Sequence, residues 1–149
     1  MPHPEFPHMM PEDIPVWSRW LTLQSRNWDH IDYDVHVGEG VTIPDDWPDN
    51  YKANALGLSL KRIDAVIFYG DRICIVEVKK IAGWKALGQI VGYPVLYSNY
   101  MAPTMPVTRL LICEGFDLDL QNIMDQLEIP YEIVPPAPTV PDTFVLSTP

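Results

Sequence analysis

Residues 61–80, KRIDAVIFYGDRICIVEVKK, predict a β-hairpin around which the rest of the fold is organised. Two runs rich in Ile, Val, Ala, Phe and Tyr flank the Gly-Asp dipeptide at 70–71, and Gly followed by one further residue is typical of a two-residue type II′ turn. That turn sets the register and places Asp64 directly opposite Glu77. Opposed residues of an antiparallel pair share a face, with Cβ atoms about 5 Å apart, so we expect the two carboxylates to lie together.

Lys79 is expected to project from the same face, because it lies two residues beyond Glu77. Like charges directly opposite each other destabilise a sheet by about 0.2–1 kcal/mol, and by more when they are desolvated. A divalent cation between Asp64 and Glu77 would remove that cost, since Mg²⁺ typically takes one or two protein carboxylates and completes its shell with water and phosphate oxygens. The alternative is a solvent-facing edge on which the three charges only keep the hairpin soluble.

The segment AGWKALGQIVGYPVLYSNY, which follows the hairpin, predicts a helix from about Ala82. Gln89 and Tyr93 are four residues apart and therefore share a face of that helix. Four apolar residues at spacings of three and four are expected to pack the helix on the sheet: Trp84, Leu87, Val91 and Val95. Alternatively, Gln89 and Tyr93 only border this packed face, with Tyr93 presenting a polar tip to water.

An Asp, a hairpin, a Glu-x-Lys and a Gln-x-x-x-Tyr helix in this order resemble the PD-(D/E)XK nuclease superfamily, also called the restriction-endonuclease-like fold. Within it, the pattern is similar to the branch containing the RecB nuclease domain and the lambda-type exonuclease. The resemblance covers residues 61–97. It implies an α/β fold with an αβββαβ core, in which helices flank a mixed central sheet. It also implies an Mg²⁺- or Mn²⁺-dependent deoxyribonuclease that hydrolyses DNA phosphodiester bonds with a metal-activated water.

The resemblance assigns the metal to Asp64 and Glu77, with the backbone carbonyl of Val78 as a further oxygen ligand. Many members of the superfamily carry one more acid on the first helix. In this chain Glu39 and Glu12 are the candidates for that role, so the first metal position is better defined than a second one.

The same resemblance assigns the remaining catalytic roles to Lys79, Gln89 and Tyr93. Lys79 would position the water and the scissile phosphate, and the other two side chains would align the DNA strand. Basic residues close to this site are expected to contact the DNA backbone: Lys61, Arg62, Lys80 and Lys85.

The charge distribution qualifies this hypothesis. The chain carries a net charge of −10, whereas residues 61–85 hold six of the ten basic residues and three of the twenty acids. Because non-specific DNA affinity comes from cations on phosphates, we expect weak, salt-sensitive binding, or help from a homo-oligomer or a partner protein. The alternative function is a weakly active or inactive nuclease-fold interaction protein in a phage or DNA-processing assembly. A nucleotide phosphohydrolase is less favoured, because the chain has no phosphate-cradling glycine loop.

The order of elements predicted along the chain is α-β-β-β-α-β-α-β. The first helix is expected to begin near Pro15 with Asp13 as its cap, and a strand is expected from Leu56 to Phe68 after an acidic, proline-containing loop. We divide the chain into an extended arm (1–12), a nuclease-like domain (13–134) and a proline-rich tail (135–149).

The location is expected to be cytoplasmic: the host cytoplasm, or the virion if a phage encodes the chain. No apolar run is long enough for a membrane span, and the N-terminal residues lack the pattern of a signal peptide. Cys74 and Cys113 lie in apolar runs, as buried thiols of a reducing compartment do. The four histidines show no spacing that suggests zinc.

Overall fold

The structure is a computed structural model that describes residues 6, 8–59 and 61–139. These residues form an α/β fold with a five-stranded mixed sheet and four helices, so the predicted class is confirmed. The predicted arm and tail lie partly outside the described residues, and the domain boundaries stay a prediction. In chain order the elements are α1 (Ile14–Leu23), β1 (His30–Val37), α2 (Asp49–Ser59), β2 (Lys61–Phe68), β3 (Ile73–Ala82), α3 (Trp84–Met101), β4 (Val107–Phe116), α4 (Leu118–Gln126) and β5 (Tyr131–Ile133).

The strands lie in the order β1-β2-β3-β4-β5. β1, β2 and β3 form antiparallel pairs, and β4 and β5 then join in parallel. Parallel neighbours need a crossover, and α3 supplies it between β3 and β4, as α4 does between β4 and β5. The sheet is therefore mixed, as predicted.

Helix α2 was missed by the sequence analysis, which expected a loop and then a strand from Leu56. The prolines that suggested a loop precede the helix instead. The carbonyl of Pro48 accepts a hydrogen bond from the Lys52 amide at 3.0 Å, and Asp49 lies in the first turn, where a negative charge is favourable. Because α2 has no clear apolar stripe, its periodicity gave no helical signal.

The two faces of the sheet are covered by different helices. α1 packs Val16, Trp17 and Trp20 into a core with residues of β2, β3 and β4. On the other face, buried residues of α3 and α4 pack against the alternate residues of β4. β3 therefore lies between two apolar layers, and this explains why six consecutive residues from Ile73 onward are buried.

Along β1, the alternation of side chains between the two faces of the sheet is broken at Asp34. Ile31 and Tyr33 pack with the core under α1, whereas Val35 and Val37 pack with the core under α3. Asp34 adopts φ 53°, a left-handed conformation that is uncommon outside glycine and typically costs about 1–3 kcal/mol. A strained residue in a strand indicates that the surrounding contacts hold it there.

The predicted packing face of α3 is wrong. The helix begins at Trp84 rather than Ala82, and Trp84, Val91 and Val95 are exposed. Among the four predicted residues, Leu87 alone packs against the core. The buried face consists of Ala86, Ile90, Pro94 and Tyr97. Apolar residues recur at helical spacing on two faces of α3. The buried set includes smaller side chains, such as Ala86 and Pro94, so its pattern indicated a packing face less clearly than the exposed set did.

Candidate active site

The β2–β3 register is the predicted one over half of the hairpin. Residues 65–68 pair with residues 73–76 in the order expected for a two-residue loop, and the same register places Asp64 opposite Glu77. Gly70 does not have a positive φ, so the predicted type II′ turn is wrong. Loop length therefore sets the register, and the conformation of Gly70 does not.

The backbone ladder between β2 and β3 ends one position before Asp64. At that point the Asp64 carboxylate accepts a hydrogen bond from the backbone N–H of Val78 at 2.9 Å. A side chain thus replaces the backbone partner, while β3 itself continues beside β4 as far as Ala82. The strands part at the two acids, and this opens the candidate site.

Glu77 is 0% exposed, and neither of its carboxylate oxygens has a hydrogen-bond partner among the described residues. Burial, and then the negative charge of Asp64, raise the pKa of Glu77 well above its ordinary value. Burial also raises the pKa of Asp64, against the opposing effects of the Val78 amide and the Lys79 charge. Without a cation, protonation of one of the two carboxyls relieves their repulsion.

Gln89 and Tyr93 face this site from α3, as their spacing predicted. The Gln89 amide nitrogen donates to the Tyr93 hydroxyl at 3.3 Å, while the buried Gln89 Oε1 has no hydrogen-bond partner among the described residues. Both side chains line a cleft of about 480 Å³, together with Asp64, Lys79 and Lys85. We call this the site cleft. Four of the five predicted catalytic residues, Asp64, Lys79, Gln89 and Tyr93, line the site cleft, whereas Glu77 is fully buried and does not belong to the lining. Their roles stay a prediction.

The donor set suits a hard divalent cation. Three buried oxygens lack partners, two on Glu77 and one on Gln89, and carboxylate and amide oxygens are the ligands such ions prefer. Within residues 6, 8–59 and 61–139, no group of three or more His, Cys, Asp or Glu side chains could hold a metal ion. A cation at Asp64 and Glu77 would therefore depend on other oxygens, such as the Val78 carbonyl, water or phosphate.

Asp13 is the residue that the sequence analysis missed. It was expected to cap α1, and it occupies the N-cap position, but its side chain makes no capping bond. Instead it is buried and accepts a hydrogen bond from the backbone N–H of Lys80 at 2.7 Å. Burial raises its pKa, and the Lys79 charge opposes that shift. Asp13 thus holds β3 immediately beside Lys79.

The two predicted first-helix acids lie elsewhere. Glu12 is exposed and lines a hollow next to the site cleft, where Lys79 and Lys80 also lie. Glu39 lines a different hollow, beside Tyr100 at the far end of α3. The structure therefore brings neither acid to the lining of the site cleft.

Arg62, predicted to contact DNA, is paired within the protein. Its guanidinium donates two hydrogen bonds to Asp34, at 2.6 and 2.9 Å, and also contacts His8. His8 and His36 approach the same aspartate at 2.5 and 3.2 Å. Spacing in the sequence gave no sign of this cluster, because its members come from three separate segments. It holds Asp34 in its strained conformation.

The other predicted DNA contacts differ in position. Lys61 and Lys85 line the site cleft, whereas Lys80 lines the neighbouring hollow. The Lys80 and Lys85 side chains are exposed, as a phosphate-binding role requires. Their contact with DNA stays a prediction.

In the part of the chain that the structure describes, none of the helices has both the length and the apolar character needed to cross a bilayer. Comparisons with protein-family models, curated protein sequences and solved structures found no match. The activity has to be inferred from the residues of the chain.

Proposed function

We propose that this chain is a divalent-metal-dependent deoxyribonuclease with a restriction-endonuclease-like core. The observation that carries the proposal is Glu77, a fully buried carboxyl without a hydrogen-bond partner among the described residues, next to Asp64 at the point where β2 and β3 part. Leaving such a group unpaired costs several kcal/mol, and this cost is removed when a cation binds. The order α1-β1-β2-β3-α3-β4, with α2 inserted, also supports the αβββαβ core.

Asp64, Glu77 and the carbonyl of Val78 would hold the cation. When bound, an Mg²⁺ or Mn²⁺ ion supplies positive charge to the scissile phosphate and lowers the pKa of a water to give a nucleophile. Glu77 must lose its proton before it can act as a ligand, and its pKa is raised by burial and by Asp64. Metal binding should therefore release protons and strengthen as the pH rises.

Lys79 would donate hydrogen bonds to the phosphate and offset the negative charge that develops on it. Its own charge acts on Asp64 and Glu77, as its opposing influence on their pKa values indicates. Tyr93 stays protonated at neutral pH, because burial raises its pKa. Since the Gln89 amide donates to its oxygen, the Tyr93 hydroxyl can direct its own proton toward a phosphate oxygen in the cleft.

Incubation of the pure protein with single- and double-stranded DNA and Mn²⁺ tests the proposal. Lys79→Ala should abolish most of the cleavage, whereas Lys80→Ala, at an expected contact with the DNA backbone, should only reduce it. These neighbouring lysines make a matched pair, because Lys79 lines the site cleft and Lys80 lines the adjoining hollow. Equal cleavage by the wild type and Lys79→Ala would reject the assignment.

A second candidate function is a nuclease-fold interaction protein with little or no activity, in a phage or DNA-processing assembly. The specific observation in its favour is that Asp34 and His8 already engage Arg62, within a chain of net charge −10. Light scattering coupled to size exclusion would detect a defined oligomer. Absence of Mn²⁺ binding in calorimetry, with intact folding, would favour this function over the nuclease.

A further inference from the structure

A second hollow lies farther along the face of α3 that borders the site cleft. It has a volume of about 580 Å³ and is called the α3 hollow here. Its lining consists of Gly38, Glu39, Leu96, Asn99 and Tyr100. None of the proposed catalytic residues belongs to this lining.

Helix α3 and the loop at 38–41 border both hollows. Gln89, Tyr93, Leu96 and Tyr100 follow one another at steps of four, three and four residues, so they lie on one face of α3. The opposite wall is the loop at 38–41, whose first two residues line the α3 hollow and whose last lines the site cleft. At a rise of 1.5 Å per residue, Tyr100 lies about 10 Å along the helix from Tyr93.

Lys61 lies where the two hollows meet. A Cβ placed on Gly38 would be 3.9 Å from Lys61 Cγ and 3.8 Å from Leu96 Cδ1, so the loop, the lysine and the helix converge there. Gly38 has φ +87°, a conformation that favours glycine and lets the loop take this path. A strand passing between the hollows would therefore place its phosphates beside a cation.

The chemistry of the α3 hollow suits a base better than a phosphate. Among the described residues, its lining contains the carboxylate of Glu39 and no lysine or arginine. Tyr100 is 55% exposed, and an exposed aromatic ring provides a stacking surface for a nucleobase. A carboxylate accepts hydrogen bonds from exocyclic amino groups, which thymine lacks.

We propose that the α3 hollow is a nucleobase subsite for single-stranded DNA whose backbone lies in the site cleft. Tyr100 stacks on the base, and Glu39 accepts from its amino group, so cytosine is favoured over thymine. The separation of about 10 Å corresponds to about three steps of a stacked strand at 3.4 Å each. The subsite rests on the proposed function, because that function assigns DNA to the cleft.

Binding without metal tests the subsite separately from cleavage. Fluorescence anisotropy in EDTA would measure how tightly the wild type and each variant bind an oligodeoxycytidine strand. A strand of about 12 nucleotides is within the usual size range of single-strand binding sites. Tyr100→Ala should weaken binding about 5- to 150-fold, the range found for loss of one base-stacking ring, and Tyr100→Phe should restore it. Trp84→Ala is the matched control, because Trp84 is also 55% exposed but is rotated about 160° around the same helix from Tyr100.

Two further strands distinguish stacking from charge and test base choice. Tyr100→Ala should have no effect on an abasic strand, which keeps the phosphates and lacks the bases. Glu39→Gln should reduce the preference for oligodeoxycytidine over oligodeoxythymidine. Equal weakening of abasic and base-containing strands, unchanged binding by Tyr100→Ala, or no binding of any strand would overturn the subsite.

The two proposals can fail independently. Mn²⁺-dependent cleavage that is lost in Lys79→Ala, together with binding that is insensitive to Tyr100, would reject the subsite and keep the nuclease. Tyr100-dependent binding by a wild type that cleaves no DNA would keep the subsite and reject the nuclease.

Discussion

The two halves of the β2–β3 hairpin are built from one continuous pattern of residues but have different partners. In the half nearest the turn, residues 65–68 and 73–76 pair through their backbones and are almost entirely buried. In the other half, side chains take over: Asp64 accepts from the Val78 amide, and Asp13 accepts from the Lys80 amide. We call these the closed half and the open half.

The open half keeps its shape because β3 has a second neighbour. Its pairing with β4 continues past the point where β2 leaves, so Glu77 lies beside Leu111 and Lys79 beside Cys113. An antiparallel partner can therefore be lost on one side without fraying the strand. Stability is therefore concentrated in the closed half, whereas the candidate active-site residues lie in the open half.

The largest expected effect is a loss of stability caused by a substitution in the closed half. Ile75 is 0% exposed, and Ile75→Ala should lower the free energy of unfolding by about 2–5 kcal/mol, since it removes buried methyl groups and leaves a cavity. Urea denaturation measures this change. Ile81→Ala is the control on the same strand, because Ile81 is 64% exposed, and it should shift stability by no more than about 0.5 kcal/mol. Equal losses for the two variants would contradict the division.

The next largest expected effect is a loss of cleavage caused by a substitution in the open half. Asp64→Asn keeps an oxygen that can accept from Val78 and removes the charge, so the fold should persist while cleavage falls about 10²- to 10³-fold. Asp71→Asn, at the turn of the same hairpin, should cleave like the wild type. Gel assays with Mn²⁺ and circular dichroism of each variant measure the two properties. A folded Asp64→Asn protein with full activity would remove Asp64 from the site.

A smaller effect concerns the attachment of the open half to α1. Asp13→Ala leaves the part-buried Lys80 amide without its side-chain acceptor, and this should cost about 1–3 kcal/mol of stability. Cleavage should fall as well, because Lys79 is the preceding residue. Glu12→Ala, which alters the exposed neighbouring acid, should change stability by less than about 0.5 kcal/mol. Identical denaturation curves for the two variants would show that Asp13 does not anchor β3.

The sequence predicted those parts of this site that depend on local spacing. Strand alternation and loop length were enough to pair Asp64 with Glu77, and a helical step of four was enough to bring Gln89 beside Tyr93. Both rules act within a few residues. They fail where two faces of one element carry apolar residues, and for this reason the packing face of α3 was wrong.

Contacts between distant segments could not be predicted. The Asp13 bond to Lys80 spans 67 residues and depends on how α1 lies against the sheet. The Arg62 bond to Asp34 depends on the break in β1 at Asp34. A regular alternating pattern does not predict a left-handed residue at that position. Tertiary packing decides both, and no local pattern encodes them.

The remaining effect is a pH dependence of stability, which distinguishes the two halves without altering their packing. Because the pKa of Glu77 is raised above its ordinary value of 4.5, the folded protein keeps a proton that the unfolded chain releases above that pH. Stability of the metal-free protein should therefore fall as the pH rises, by at most about 1.4 kcal/mol per unit for this one group. Glu77→Gln should flatten this slope and be more stable than the wild type at neutral pH.

Urea denaturation in EDTA from about pH 5 to about pH 8 measures the two slopes. Ile75→Ala is the control, because a closed-half variant should lose stability by the same amount at every pH. Mn²⁺ should reverse the wild-type slope, since the ion binds the deprotonated Glu77, and should leave the slope of Glu77→Gln unchanged. If the free energy of unfolding fell in parallel for the wild type and Glu77→Gln as the pH rose in EDTA, Glu77 would not be the group that titrates. The open half would then carry no electrostatic cost that a cation could relieve.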